Sequence, residues 1–506
     1  MNGLGREQTI RPQRDKALLA LAVILGCYLL LGTLYAWQTP RWQTPDEPAH
    51  FNYIQYVAEE NQLPVLEAGD YPHQYLEEIK AARFPPDMSI APLSYESHQP
   101  PLYYVLAAIL YRVTADLAFD LRFLALRLLS VVLGAAALWV TYHVVRESFP
   151  DAGFLSLAAT AFAATVPMHL AMTAAINNDA LAALLLALLL WQAVRAIQKG
   201  LDRRRALAMG VLLGLVLLTK TTIYLVAGGA VLMTALLSPA SVAGRRSLRA
   251  RAGWLAVAMA LALLLASPFF VRNARVYGGL DILGWQRHDS IVTGQLRTVD
   301  LMAQTGLASF ARRLVLTTFR SFWAQFGWMG VLVDERIYLA LALWTSLLAA
   351  GLAVFGVRLG RRRIVVTAGQ ARILLLFFAA TALTVLTYLG YNIKFVQHQG
   401  RYLFPALIPL ALGAALGLKE LLRPRVARAL AVALLLAVLA LLVRGVLAGD
   451  VFVWGMLLLL AAAVTLASAG WPLAGHTRAL AVPLYVAALG LDWMCLFGFI
   501  VPALRR

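Results

Sequence analysis

Residues 373–393 read ILLLFFAATALTVLTYLGYNI, twenty-one residues between Arg372 and Lys394 without an Asp, Glu, Lys or Arg. Residues 152–178 and 252–271 are equally free of these charges. A spanning helix needs about 20 mostly apolar residues, whereas a barrel strand is about half as long and alternates with period 2. None of these runs alternates, so the pattern predicts an all-α polytopic membrane protein. The whole chain of 506 residues agrees: 61% hydrophobic, 14% charged, with a mean hydropathy of +0.72. Soluble domains carry about 25% charged residues. The two cysteines, Cys27 and Cys495, sit in apolar runs and offer no disulfide framework or thiolate metal site.

Lys and Arg outnumber Asp and Glu by 44 to 26, a net charge of +18. The excess lies in short clusters between apolar runs, which is the mark of membrane topology rather than of nucleic-acid binding. Arg6, Arg11, Arg14 and Lys16 precede the first run, 17–37, and predict a cytoplasmic N-terminus with an uncleaved anchor. Clusters at Lys199/Arg203/Arg204/Arg205, Arg245/Arg246/Arg249/Arg251, Arg358/Arg361/Arg362/Arg363 and Lys419/Arg423/Arg425/Arg428 should share that side. Passing from Lys16 to Lys199 on one side takes an even number of crossings, yet five apolar runs intervene. The weakest is 99–118, which opens on Pro100-Pro101 and carries Arg112, Asp116 and three tyrosines. It reads as an interfacial or re-entrant helix. About thirteen crossings remain, at 17–37, 122–145, 152–175, 180–197, 206–218, 222–237, 253–271, 337–357, 373–391, 402–418, 429–446, 451–468 and 480–500. All belong to one membrane domain over 1–506. Asp492, inside the last run, is an acid at membrane depth without an assigned role.

Two polar stretches are too long for plain connections: a first extracytoplasmic loop at 38–121 and a second at 272–336. Residues 38–98 alone hold ten of the 26 acids. Thr44-Pro45-Asp46-Glu47-Pro48-Ala49-His50 starts a helix running to about Glu60, with Asp46 as cap and Pro48 in the tolerant first turn. The plain reading is that Asp46 caps and Glu47 complements the helix dipole. The functional one is a carboxylate pair at the membrane surface, with His50 one turn beyond Asp46 on the same face. Asn177-Asn178-Asp179 is a second acidic point on the same side, and by itself would be a helix-starting turn. Lys220, Arg272, Lys394 and Arg401 recur at outer helix ends. Snorkelling suffices for Lys394, whereas Lys220 interrupts a tight pair of apolar runs and reads as functional. Asp46, Glu47 and Asp179 are also the residue types that hold a divalent ion such as Mg or Mn. No H-E-x-x-H, P-loop or G-x-G-x-x-G occurs.

The motifs Asp46-Glu47-Pro48-Ala49-His50-Phe51, His98-Gln99-Pro100-Pro101-Leu102-Tyr103-Tyr104, Asp179, Lys220 and Arg401-Tyr402-Leu403-Phe404-Pro405 occur in a definite order and sidedness. In this the chain resembles the GT-C superfamily of membrane glycosyltransferases, and within it glycosyltransferase family 39. That group includes the bacterial aminoarabinose transferase acting on lipid A and the protein O-mannosyltransferases. Thr221-Thr222 stand where the family has Gly-Pro after its lysine. The resemblance implies a GT-C bundle with juxtamembrane helices in the first outer loop, in the cytoplasmic (inner) membrane of a bacterium. It implies inverting transfer of a sugar from a polyprenyl-phosphate donor to a lipid, glycan or protein acceptor on the outer face. It gives Asp46 as general base, Glu47 as its orienting or metal-binding neighbour, and Asp179, Asn178 and His50 as positioning groups. His98, Lys220, Arg272 and Arg401 would meet the donor phosphate. The alternative is a flippase or transporter of lipid-linked sugars, which needs a similar polar cavity but for which the sequence shows no inverted repeat.

Overall fold

The structure is a computed structural model that describes residues 4–239, 248–469 and 481–505. Its helices, in chain order, begin with α1 (Leu4–Gln38), α2 (Glu47–Glu60), α3 (His73–Ala81), α4 (Leu102–Val113) and α5 (Phe119–Ser148). There follow α6 (Gly153–Ala164), α7 (Pro167–Thr173), α8 (Asp179–Lys199), α9 (Arg203–Leu217), a 3₁₀ turn (Thr221–Ile223) and α10 (Tyr224–Leu237). Next come α11 (Leu248–Tyr277), the short α12 (Trp285–Ile291) and α13 (Thr298–Thr305), α14 (Leu307–Trp323) and a two-residue hairpin, β1 (Gln325–Phe326) with β2 (Val331–Leu332). Then α15 (Glu335–Gly360), α16 (Ala368–Lys394), a second 3₁₀ segment (Gly400–Ala406), α17 (Leu407–Leu421), α18 (Pro424–Ala448) and α19 (Val453–Ala469) complete the main bundle. The last helix, α20 (Ala481–Met494), passes through a π turn (Cys495–Ile500) into Val501–Leu504.

The bundle is built by pairing α5 with α8, α9 with α11, and α15 with α17. Lipid gives apolar helices no hydrophobic reason to associate, so close backbone approach matters. At the α15–α17 crossing Gly351 faces Gly417, and a methyl group on Gly417 would stand 2.2 Å from the Leu348 carbonyl oxygen. Only glycine fits there.

The two ends of the bundle differ sharply. At one end lie the α8–α9, α15–α16 and α17–α18 connections with their basic clusters, and the end of α10, where Arg251 bonds the Leu236 and Ser238 carbonyls. Glu147 there accepts from Arg195 and Lys199, both at 3.0 Å, and Glu420 pairs with Arg358 at 2.6 Å. At the other end the first polar loop, α12 to α14 and the 395–402 turn fold onto one another. Arg272 bonds the Leu63 and Pro64 carbonyls, Arg287 that of Leu66, and the Trp328 indole that of Trp42. Arg245 and Arg246, and the side chains of Arg6, Arg11 and Arg14, lie outside the described residues, as does the start of the 480–500 run.

Among the described residues nine helices are long and apolar enough to cross a membrane. The expected count of thirteen is not reached on length, because α9, α10 and α19 are short. The run 152–175 is not one straight span. It breaks into α6 and α7 with a 68° bend, because Pro167 cannot donate into the preceding turn. The run 99–118 contains α4, whose twelve residues extend roughly 18 Å, too short for a hydrocarbon core of about 30 Å. It packs on α2, where Arg112 bonds the Val57 and Ala58 carbonyls at the helix end and Asn61 just beyond. Asp492 is fully buried, and neither of its carboxylate oxygens has a hydrogen-bond partner.

Candidate functional site

The loop that follows α1 delivers Asp46 in a left-handed conformation (φ 67°) just ahead of α2. Asp46 stands at the cap position but does not cap: its side chain makes no bond to the helix backbone. Instead Oδ2 accepts from Arg401 at 2.8 Å and Oδ1 from the Tyr95 hydroxyl at 3.1 Å. Arg401 sits in the 3₁₀ segment before α17, where Gly400 lies so close to α14 that a methyl group would meet the Phe322 amide nitrogen at 2.3 Å. That contact fixes where the guanidinium emerges. Its Nε donates to Gln399 at 2.7 Å.

A second ion pair lies beside the first. The bend after α6 lets α7 turn Asn177-Asn178-Asp179 toward the same cluster. Lys220 breaks the chain between α9 and the 3₁₀ turn with an extended backbone (φ −159°). Its Nζ donates to Asp179 at 2.9 Å and to the Asn178 side-chain Oδ1 at 2.7 Å. Asn178 in turn donates to the Thr219 carbonyl at 3.2 Å and to the Tyr104 hydroxyl at 3.4 Å. The same hydroxyl bonds His50 Nδ1 at 2.8 Å, and the Tyr104 ring stacks on Tyr53. So α2, α4, α8 and the α9–α10 break are joined through one polar chain.

The charges tune one another. Burial pushes the Asp46 carboxyl up, but the Arg401 charge and hydrogen bond, then His50 and Tyr95, outweigh it and hold the group below the usual carboxylate range. Burial pushes the His50 imidazole down, against the attraction of Glu96, Asp46 and Asp179. Asp46, His50, Asn178, Asp179, Lys220 and Arg401 are thus brought together.

Three expected members are placed elsewhere. Glu47 is fully buried and turned into the bundle, its two oxygens gripped by Arg127 at 2.8 and 2.7 Å. Arg272 holds the carbonyls of the first loop and the Asn273 side chain rather than a donor site. His98 is buried in the loop layer, Nδ1 bonded to the Tyr95 carbonyl and the ring against His288. The divalent-ion reading does not fit this donor set. Asp46 and Asp179 each carry a directly bonded cationic side chain, Glu47 faces Arg127, and among the described residues no three His, Cys, Asp or Glu side chains converge. Tyr95, Glu96 and Tyr104 join the site without having been singled out. Their signal was adjacency, since Tyr95-Glu96 stand just before His98 and Tyr104 just after the paired prolines.

The His98–His288 contact makes a pH prediction. Burial pushes His98 down to about 4 and His288, with the repulsion of His98 adding to it, to about 3. An unfolded histidine titrates near 6.5. Between pH 6.5 and 4 the unfolded chain therefore takes up protons that the folded chain refuses, so stability present above pH 6.5 is lost as pH falls. The melting temperature in detergent should drop across that window, and less so in His288→Phe. Equal drops in the two proteins would exclude the contact as the cause.

Comparison with known proteins bears on this site. Residues 98–271 match the family model of dolichyl-phosphate-mannose-protein mannosyltransferase, a stretch that contains His98, Asn178, Asp179 and Lys220. Among solved structures, the oligosaccharyltransferase of Archaeoglobus fulgidus, tethered to an acceptor peptide with the NVT sequon, superposes with a TM-score of 0.51 at 14% identity. The alignment covers 94% of this chain and 55% of that one. ArnT from Cupriavidus metallidurans bound to undecaprenyl phosphate gives 0.48 at 15% identity over 97% of this chain and 76% of that one. Its apo form gives 0.49 at 16% identity, over 97% and 77%. No curated protein matches the chain in sequence. The chain resembles the GT-C glycosyltransferases, and its fold is the GT-C bundle.

Proposed function

We propose that this chain, a GT-C bundle with the mannosyltransferase family's segment at residues 98–271, is an inverting glycosyltransferase. It moves a sugar from a polyprenyl-phosphate donor to an acceptor hydroxyl on a lipid, glycan or protein. The observation that carries the reading is the pair of neighbouring ion pairs, Asp46–Arg401 and Asp179–Lys220, where the start of α2 meets the ends of bundle helices. A polyprenyl donor keeps its tail in the bilayer and its phosphate at interface depth, so the cations that meet it must sit at a helix-end layer such as this. Lys220 has three N–H donors and uses two on Asn178 and Asp179, which leaves one for a phosphate oxygen. Arg401, held on Asp46, is the second cation of the cluster. As the bond from sugar to phosphate breaks, negative charge grows on the phosphate, and fixed cations stabilise that charge more than the ground state.

Sidedness follows the same reading. The clusters around Lys199, Arg249, Arg358 and Lys419 are at the far end of the bundle from the site, so the positive-inside rule favours an extracytoplasmic site in a cytoplasmic membrane and a cytoplasmic N-terminus.

The test is transfer by the purified protein in liposomes against a panel of polyprenyl-phosphate sugars, reading both sugar transferred and polyprenyl phosphate released. One donor should turn over, and Lys220→Met should lower kcat by about 100-fold with the fold intact, the loss expected for one transition-state charge contact. Movement of lipid-linked sugar across the bilayer without cleavage would replace the transferase by a flippase.

A further inference from the structure

We propose that Glu96 takes the proton of the acceptor hydroxyl, a role the family resemblance implies for Asp46; this rests on the transferase reading above. The carboxylates around the cluster differ in what already holds them. Both Asp46 oxygens are engaged, by Arg401 and by Tyr95. Asp179 is bonded to Lys220 and Glu47 to Arg127. Among the described residues Glu96 is the one acid of this group without an ion pair. A base needs a lone pair that no cation already holds, and a carboxylate clamped by guanidinium or ammonium is the weakest choice available.

Backbone bonds hold the segment that carries Glu96 against the cluster. The Gln99 amide closes a turn onto the Glu96 carbonyl at 2.9 Å, and the Ser97 amide one onto Ser94 at 3.0 Å. The Tyr53 hydroxyl of α2 donates to the Gln99 carbonyl at 3.1 Å. Three residues further, the Leu102 amide bonds the Leu218 carbonyl at 2.8 Å, which moors this segment two residues from Lys220. The groups that act electrostatically with Glu96 are His50 and Asp46 at the start of α2, Lys220 before α10, Tyr95 beside it, Tyr104 on α4 and Tyr391 on α16. It therefore feels one member of each ion pair, Asp46 and Lys220. Burial pushes its carboxyl above the usual range, with Asp46 adding to this and His50, Lys220 and Gln99 opposing it. That direction suits a group that must accept a proton near neutral pH.

The step balances as follows. The acceptor oxygen forms its bond to the anomeric carbon while its proton passes to the Glu96 carboxylate. The bond from the anomeric carbon to the phosphate oxygen breaks, and its electron pair stays on that oxygen beside Lys220. Glu96 then returns the proton to water.

The experiment compares wild type, Glu96→Gln, Glu96→Asp and Asp46→Asn in liposomes with whichever polyprenyl-phosphate sugar the wild type uses. Glu96→Gln is expected to lose at least about 100-fold in kcat with donor KM changed severalfold at most. The acid limb of its pH–rate profile should disappear, and Glu96→Asp should restore part of the rate with that limb moved. Asp46→Asn, slow as it is expected to be, should keep the limb. If the wild type turns over but Glu96→Gln keeps its rate and its acid limb, the inference fails alone. If the wild type turns over no donor at all, the transferase reading fails and this inference with it.

Discussion

Arg127→Met should destabilise the protein by roughly 3–5 kcal/mol, enough to deplete the folded population extracted into mild detergent. Arg127 and Glu47 are 2% and 0% exposed, and they share two hydrogen bonds of 2.8 and 2.7 Å. The guanidinium also donates to the carbonyls of Ala36, Thr39 and Pro40, which have run out of helix at the end of α1. Glu47 further accepts from the amides of Trp42 and Ile176. Methionine keeps much of the volume and none of these donors, so a carboxylate and three carbonyls lose their partner in a place without water. The measurement is the thermal midpoint by differential scanning fluorimetry in detergent, with the fraction recovered by size exclusion. The double variant Glu47→Met/Arg127→Met removes the stranded carboxylate and should recover part of the loss. A single variant with an unchanged midpoint would show that the pair does not hold the α1–α2 corner. The pair also bears on function, because it anchors Glu47 and so fixes the backbone of its neighbour Asp46.

The corner illustrates which parts of the molecule a one-dimensional reading reaches. Charge-free runs give the spans directly, because in hydrocarbon a backbone can satisfy itself only as helix here. Parity then singled out 99–118 as a segment that does not cross, and α4 lies in the loop layer as the tyrosines and Arg112 suggest. The coincidence of Asp46 with His50 follows from helical spacing alone. The pairing of the charges does not. Glu47 meets Arg127 across 80 residues and Asp46 meets Arg401 across 355, and which acid faces which cation is decided by helix packing that no local pattern encodes. From the sequence Glu47 and Asp46 are equivalent neighbours, and Arg127 is a lone charge in an apolar run. In the fold one acid is a buried brace and the other faces the site. Arg272 misleads for the same reason. It sits at an outer helix end like Lys220, but the first loop passes over it and takes its donors. Pro167, a proline inside a long apolar run, is a bend signal that reading 152–175 as one crossing passes over; that bend aims Asn178 and Asp179.

Arg401→Leu is expected to lower kcat/KM for sugar transfer by about 1,000-fold, the upper end for a single electrostatic contact, because two functions are lost together. The first, on the proposed reading, is a fixed positive charge for the donor phosphate. The second is the hold on Asp46, whose carboxyl Arg401 keeps below the usual range against burial that pushes it up. Without the guanidinium burial prevails, so Asp46 should titrate above the ordinary carboxylate value and become neutral as pH falls from neutrality. The two losses can be separated. Arg401→Lys retains the charge but not the fork that reaches Asp46 and Gln399 at once, so it should recover donor affinity more than rate. A double-mutant cycle over Asp46→Asn and Arg401→Leu should then show strong non-additivity, with the second substitution costing far less than it does alone. Additive losses would mean that the two residues act separately, one on the acceptor and one on the phosphate, and that the 2.8 Å contact between them is not what orders the site.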